Sequence, residues 1–426
     1  MISPPVIVEI RRRIVTLPSF KRDAKLLIAT SGIFAISFLG IQMLLQVLYV
    51  LRLGHGPRYV GLFTSTGAFT YMGMSLISGA LGRRLGMRRT LLLGGTTIVI
   101  GMTALPATEF VPLQARGLWP IVSNVLLTAG WSMLNVNLVV TLTAATEKRH
   151  RNDVYALNNA LIGLGTFLGT MFSGALPGLF ANALQQSLDV PGPYRSALWV
   201  GAGFAALGLI PLILTQPVNP IASSRQPGAR GAFPLLPVAL MVVYVCLRHA
   251  GWATCQVFCK AYMDTILHLR TSSIGLITGA GQFLAILASL LTPRLAARHG
   301  NGRILVTSTL AVAIGLIPLG LFSHWTAVAV GQLCILITSA IWLPALQAFQ
   351  MERVDSEWHS LAYGSISMAM GLGFGSTSLL GGYLIEAAGY RTVFLVGAML
   401  STVSTGWIWA VLRARNGAAG SPNHGS

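Results

Sequence analysis

Twelve apolar runs, each near the length that crosses a bilayer, divide this chain of 426 residues. A helical span needs about 20 apolar residues to cover roughly 30 Å of hydrocarbon. The runs fall at 25–50, 58–79, 90–108, 117–145, 154–180, 196–215, 234–263, 273–293, 303–323, 325–348, 361–385 and 391–412. Only Ser323 and His324 interrupt the ninth and tenth, which predicts a tight hairpin. In hydrocarbon every backbone N–H and C=O must be bonded within the structure, so runs of this length and number can fold only as helices. The expected fold class is an all-α membrane protein with twelve transmembrane helices. Charged residues make up 9% of the chain, against roughly 25% in soluble domains. That shortage excludes a soluble enzyme and a disordered chain.

The net charge is +18, yet the 29 Lys and Arg stand in short clusters between the runs rather than as one basic face. This argues against a nucleic-acid partner and for the loops of a membrane protein, whose basic residues gather on the cytoplasmic side. With the N-terminus inside, 21 of the 29 sort to cytoplasmic segments and 7 to outer ones, while Arg248 lies within a span. An odd number of spans would spoil that alternation. Both termini are therefore expected in the cytoplasm, with the chain in the plasma (inner) membrane as a monomer. The expected organisation is a cytoplasmic N-terminal segment 1–24, a six-helix bundle 25–215, a cytoplasmic linker 216–233 rich in Pro, Gly and Ser, a second six-helix bundle 234–412 and a cytoplasmic tail 413–426. The basic residues among the first 25 come without a cleavable signal pattern and suit an interfacial segment on anionic lipid.

The two bundles repeat each other. Shifted by 214 positions, residues 42–91 align with 256–305 without a gap and with fourteen identities. Gln42/Gln256, Gly61/Gly275, Thr64/Thr278, Phe69/Phe283, Arg84/Arg298, Gly86/Gly300 and Arg89/Arg303 are among them. A weaker echo at a shift of 208 joins Gly163-Leu164-Gly165 with Gly371-Leu372-Gly373 and Gly174 with Gly382. Because six spans is an even number, both copies keep one orientation, which implies two pseudo-symmetric bundles about an axis along the membrane normal.

Gly79-Ala80-Leu81-Gly82-Arg83-Arg84-Leu85-Gly86-Met87-Arg88-Arg89, between the second and third runs, resembles the signature loop of the major facilitator superfamily, roughly Gly-x-Leu-Ala-Asp-Arg-x-Gly-Arg-Arg. Pro293 to Arg303 is similar to the degenerate second copy of that loop. The resemblance spans almost the whole chain and implies a transporter that alternates access between two bundles. It implies a gating role for Gly79, Arg84, Gly86, Arg88, Arg89, Arg298, Gly300 and Arg303. Arg83 stands where the family usually has Asp, so the carboxylate latch of that loop is altered here. The loops 147–153 and 352–357 have opposite charge balance and are expected to pair across the halves.

The resemblance also implies that the first, fourth, seventh and tenth spans line a central cavity. Polar residues fall there at helical spacing. Arg248 is the one charge at mid-span, with Trp252 a turn away and His249 leading a second stripe through Gln256 and Lys260. An ionisable residue at that depth faces a wet interior or a partner rather than lipid. The candidate substrate-binding residues are Arg248, His249, Trp252 and Gln256, with Gln42 and Gln46 from the first span, Trp131 and Asn135 from the fourth and Trp342 from the tenth. Asn124 and Thr128 share the fourth span's polar face, and any of these amides can instead serve as interhelical glue. None of the eleven carboxylates sits at mid-span, which leaves His249 or Asp264 as the groups through which protons, the candidate coupling ion, would act. The four cysteines lie inside apolar runs, and no cofactor, metal site or catalytic set is indicated. The expected function is export of a small amphiphilic compound. The alternatives are symport or uniport of an anionic metabolite, and a sensor or scaffold that keeps the fold without transport.

Overall fold

The computed structural model describes residues 21–147, 150–216, 234–352, 354 and 358–419. The linker 217–233, most of the N-terminal segment and the end of the tail lie outside the described residues, as do Lys148, Arg149, Arg353, Asp355, Ser356 and Glu357 of the two loops expected to pair. The described chain is helical, without strands. The helices are α1 (Arg22–Arg52), α2 (Pro57–Leu85), α3 (Met87–Ala104), α4 (Trp119–Ala144), α5 (Arg151–Leu184), α6 (Gly192–Ile213), α7 (Leu235–Thr265), α8 (Thr271–His299), α9 (Asn301–Leu321) and α10 (Trp325–Met351). Helices α11 and α12 are the two arms of His359–Ala419, which breaks at Gly389. An even number of crossings returns the chain to the end where it began. We call that the terminal end and the other the distal end.

Sequence chemistry explains the breaks. Between α2 and α3 only Gly86 is non-helical, at φ 88° and ψ 144°. Gly300, its counterpart between α8 and α9, has φ 78° and ψ 149°. A side chain is strained in that region of backbone space, so the glycine of each signature copy is what lets two long helices join through one residue. The hairpin between α9 and α10 spans Phe322 to His324, where the imidazole Nδ1 of His324 accepts the Thr326 N–H and caps α10. Helix α3 ends at Ala104, earlier than its apolar run. Pro106 opens a short 3-10 turn, Pro106–Phe110, because a proline ring cannot continue the hydrogen-bond ladder.

The repeat is visible in the contacts. Where α2 crosses α11, Gly61 meets Gly382, Phe69 meets Gly375 and Met72 meets Gly371. Where α8 crosses α5, Gly275 meets Gly174, Phe283 meets Phe167 and Ile286 meets Gly163. The shifts of 214 and 208 carry every member of the first seam onto the second. Inside the halves, α5 presses Gly165 onto the Gly32 carbonyl of α1, and α11 presses Gly373 onto the Cys246 carbonyl of α7, again at the same two shifts. With no hydrophobic drive between helices in lipid, contact of this kind depends on small residues that let backbones approach.

The seams are not closed along their whole length. About two turns beyond Met72 and Gly371, toward the terminal end, Gly79 and Gly364 have open space where a side chain would stand. Their repeat equivalents Pro293 and Ala156 are exposed. Among the described residues, the hydrogen bonds between the halves gather on the distal side. Arg52 grips Asp264 through both carboxylate oxygens at 2.6 and 2.7 Å. Lys260 donates to the Met43 carbonyl at 2.7 Å, and Tyr194 shares a 2.8 Å bond with Thr271. Arg58 donates to Tyr383, and Thr170 to Gln282 nearer the middle. Among the described residues the two halves are thus latched at the distal end, and the contacts of both seams stop short of the terminal end.

Candidate functional site

The middle of α7 holds the densest group of candidate residues. Arg248 is 1% exposed. Its guanidinium carbon stands 3.9 Å from the ring centre of Trp342 on α10 and 6.0 Å from that of Trp252. The Nη2 donates to Ser339 Oγ at 2.9 Å. Ser339 precedes Trp342 by three residues, so one face of α10 supplies both the ring beneath the guanidinium and the hydroxyl at its edge. His249 sits among aromatic rings, 5.3 Å from Trp252 and 5.2 Å from Trp342 between centroids. Trp252 reaches Phe374 of α11 at 5.9 Å. Behind the cluster, Trp342 Nε1 donates to Tyr244 Oη at 2.8 Å, and that hydroxyl shares a 2.8 Å bond with Thr309 of α9. This polar chain fixes the Trp342 ring from inside the bundle.

Several polar atoms here lack a partner. Arg248 Nε, His249 Nδ1 and Trp252 Nε1 are buried without a hydrogen bond. Gln256, one turn beyond Trp252, is half-buried. On α1, Gln42 is 0% exposed and both atoms of its amide are unpartnered. Gln46 donates to Met43 Sδ at 3.6 Å, leaving its Oε1 unpartnered. A buried polar group without a partner costs about 1–3 kcal/mol, and each such group in a folded protein asks for an explanation.

The structure brings Arg248, His249, Trp252 and Trp342 into one cluster. Gln42, Gln46, Trp131 and Asn135 belong to the other half and make no hydrogen bond to that cluster among the described residues. The ring of Trp131 packs on Phe38 at 4.8 Å, and Asn135 donates to Tyr71 of α2 at 3.1 Å. Asn124 donates to the Phe63 carbonyl of α2 and so ties the two helices, whereas Thr128 bonds back to its own helix. Ser339, Phe374 and Tyr71 were not singled out by sequence. Ser339 carried a signal, its three-residue spacing from Trp342, whereas Phe374 sits in an apolar run with nothing to mark it.

The two halves differ along the segment that matters here. In α1, Ala35–Gln42 is a π-helix. Its counterpart at a shift of 214 is 249–256, which runs as ordinary α-helix within α7. Gly40 in the π segment lies against Gly169 of α5. Such wide turns occur often at functional positions.

The signature residues lie at the terminal end. Arg84, Arg89, Arg298 and Arg303 are exposed. Arg88 donates to the Ile213 carbonyl, the last residue of α6, at 2.8 Å. A cation on a helix C-terminus meets the negative end of the helix dipole. Arg83, the departure from the family pattern, is exposed.

The family model described as Major Facilitator Superfamily matches residues 26–259 and 240–425. The chain belongs to the major facilitator superfamily. An uncharacterised MFS-type transporter of Burkholderia pseudomallei (strain 1106a) is 26% identical over 357 residues, 82% of each chain. A relative of the same description from Burkholderia mallei (strain SAVP1) is 25% identical over 350 residues, again 82% of each. Among solved structures, a D-xylose–proton symporter superposes with a TM-score of 0.73 at 14% identity, covering 91% of this chain and 97% of its own. The nucleoside transporter NupG gives 0.69 at 16%, covering 92% and 99%. The inward open conformation of the xylose transporter XylE from E. coli gives 0.70 at 13%, covering 91% and 96%. At these identities the likeness is one of fold. As an MFS protein the chain is a multi-pass membrane transporter and not an enzyme.

Proposed function

We propose that this MFS transporter is a secondary active exporter of small amphiphilic compounds, working by alternating access in the plasma (inner) membrane as a monomer with both termini cytoplasmic. The observation that supports the substrate class is the mixture at mid-span of aromatic faces (Trp252, Trp342, Phe374) with unpartnered polar atoms on Gln42, His249 and Trp252. A molecule with an apolar ring and a few hydrogen-bonding groups would satisfy both at once. The loop charges support cytoplasmic termini. On that orientation the splayed terminal end loads from the cytoplasm, which supports export. Protons are the proposed driving ion, acting through His249 or through Asp264 in the distal latch.

Purified protein in liposomes tests this directly. An imposed proton gradient is expected to drive labelled amphiphilic aromatics across the membrane, and Trp252→Ala is expected to slow that flux at least several-fold. Vesicles that bind such compounds but never move them would favour a sensor over a transporter.

A further inference from the structure

We infer that the substrate of the central site carries an acidic group, and that Arg248 holds it: the transported compound is a small organic carboxylate with an aromatic or apolar body. This rests on the reading of the mid-span cluster as the transport site.

Charge balance is the first reason. Arg248 lies in the middle of a span and is 1% exposed. Among the described residues no carboxylate lies within salt-bridge range of it. Asp264, the acid that α7 does contain, is sixteen residues away at the distal end and is engaged by both Nη atoms of Arg52. A buried guanidinium without a counter-charge is costly, and the Trp342 face and one serine hydroxyl offset only part of that. An anion entering the site would supply the missing charge.

Donor geometry is the second reason. Arg248 Nε–H and Trp252 Nε1–H can only donate, and both are buried without an acceptor. They lie one helical turn apart on the same helix, with the Arg248 guanidinium 6.0 Å from the Trp252 ring centre. His249 Nδ1, also unpartnered, lies between them in sequence. A carboxylate offers two oxygens with about four acceptor positions and matches two neighbouring donors. A neutral hydroxyl or amine does not answer the charge. The rings of Trp252, Trp342 and Phe374 give the rest of the molecule an apolar seat.

The third reason is the comparison within the chain. The repeat position of Arg248 is Phe34, fully buried against Gly95 and Gly208 inside the first bundle. The cation is thus a feature of one half, laid over a scaffold that does not require it.

Binding of 2-naphthoate and of its uncharged analogue 2-naphthamide to the purified full-length protein, followed by tryptophan fluorescence and thermal shift, tests the inference. The native protein is expected to bind the acid at least roughly tenfold tighter than the amide, the scale of one charge-assisted hydrogen bond. Arg248→Gln is expected to remove the preference for the acid, weakening the acid at least roughly tenfold and the amide, whose carbonyl accepts only a neutral-strength bond, by less. Should that variant fail to fold, Arg248→Lys keeps the charge but loses the planar fork, and the acid alone is expected to weaken several-fold. Equal affinity for the two probes, or a preference for the acid that survives Arg248→Gln or is untouched by Arg248→Lys, overturns the acidic-substrate inference while the amphiphile reading stands. Failure of the native protein to bind either probe overturns both.

Discussion

The same two seams, α2 on α11 and α5 on α8, run from the distal toward the terminal end of this molecule, yet among the described residues they are closed at the first and parted at the second. Along α2 and α11 the contacts run from Gly61·Gly382 through Phe69·Gly375 to Met72·Gly371 and then stop, with Gly79 and Gly364 facing open space. The second seam, α5 on α8, stops at the equivalent place. At the distal end Arg52–Asp264 and Lys260–Met43 tie the halves together. The contrast teaches that closure is not a property of particular helices but of where along them the halves meet. We read the two symmetric glycine crossings as a pivot, with Gly79 and Gly364 as spacers for a contact expected when the terminal end closes.

Filling the glycine crossings is expected to have the largest effect. Gly61→Leu would set a side chain against the Ser378 carbonyl and the Gly382 backbone, and Gly275→Leu would set one against Gly174. Each is expected to cost about 3 kcal/mol, at the upper end for overpacking, and to abolish transport. Thermal denaturation of the two variants should give similar losses, since the sites are images of each other. A large loss at one and none at the other would mean the seams are not equivalent.

Loosening the latch should have a smaller effect. Asp264→Asn removes the charge that Arg52 grips. It is expected to shift the balance toward distal opening by roughly tenfold, about 1.4 kcal/mol, with the overall fold retained. Rates of labelling of a cysteine introduced at Gly54 would report that shift; rates identical to the native protein's would remove the latch from the account.

Sequence reading reached the pivot in part. The identities Gly61/Gly275 and Gly174/Gly382 are plain in the chain, because a repeat preserves what both copies need. Their pairing across the halves was not legible, since it depends on which helices cross and in which direction. Arg52 and Asp264 are 212 positions apart, close to the repeat shift, and that spacing places both at the distal ends of equivalent spans. Nothing in their local sequence shows that they touch. Arg248 stood out because a charge at mid-span is rare. Its partner Ser339 did not, because serine in an apolar run is common. The π segment of α1 has no marker beyond Gly40, whose approach to Gly169 is a tertiary fact.

Smaller substitutions sharpen the account. Gln42 is buried with neither amide atom bonded, whereas its repeat equivalent Gln256 is half-buried. Gln42→Met is therefore expected to raise stability by about 0.5–1 kcal/mol and to weaken ligand binding, while Gln256→Met leaves stability unchanged. A stability loss at Gln42 would show that its amide is satisfied after all. A small effect on stability is also expected at Gly79, where added atoms meet open space. Gly79→Leu should change the melting temperature by the equivalent of less than about 0.5 kcal/mol and yet stop turnover, because the terminal end could no longer close. Retained turnover in that variant would remove Gly79 from the gate.

Alternating access requires the two ends to open in opposition about the glycine crossings. Spin labels at Gly54 and His268 on the distal side, and in a second sample at Arg84 and Arg298 on the terminal side, measure both openings in the same membrane. Across apo, ligand-bound and energised conditions, one distance is expected to lengthen whenever the other shortens. Distances that change together, or a terminal pair that never moves, would contradict it.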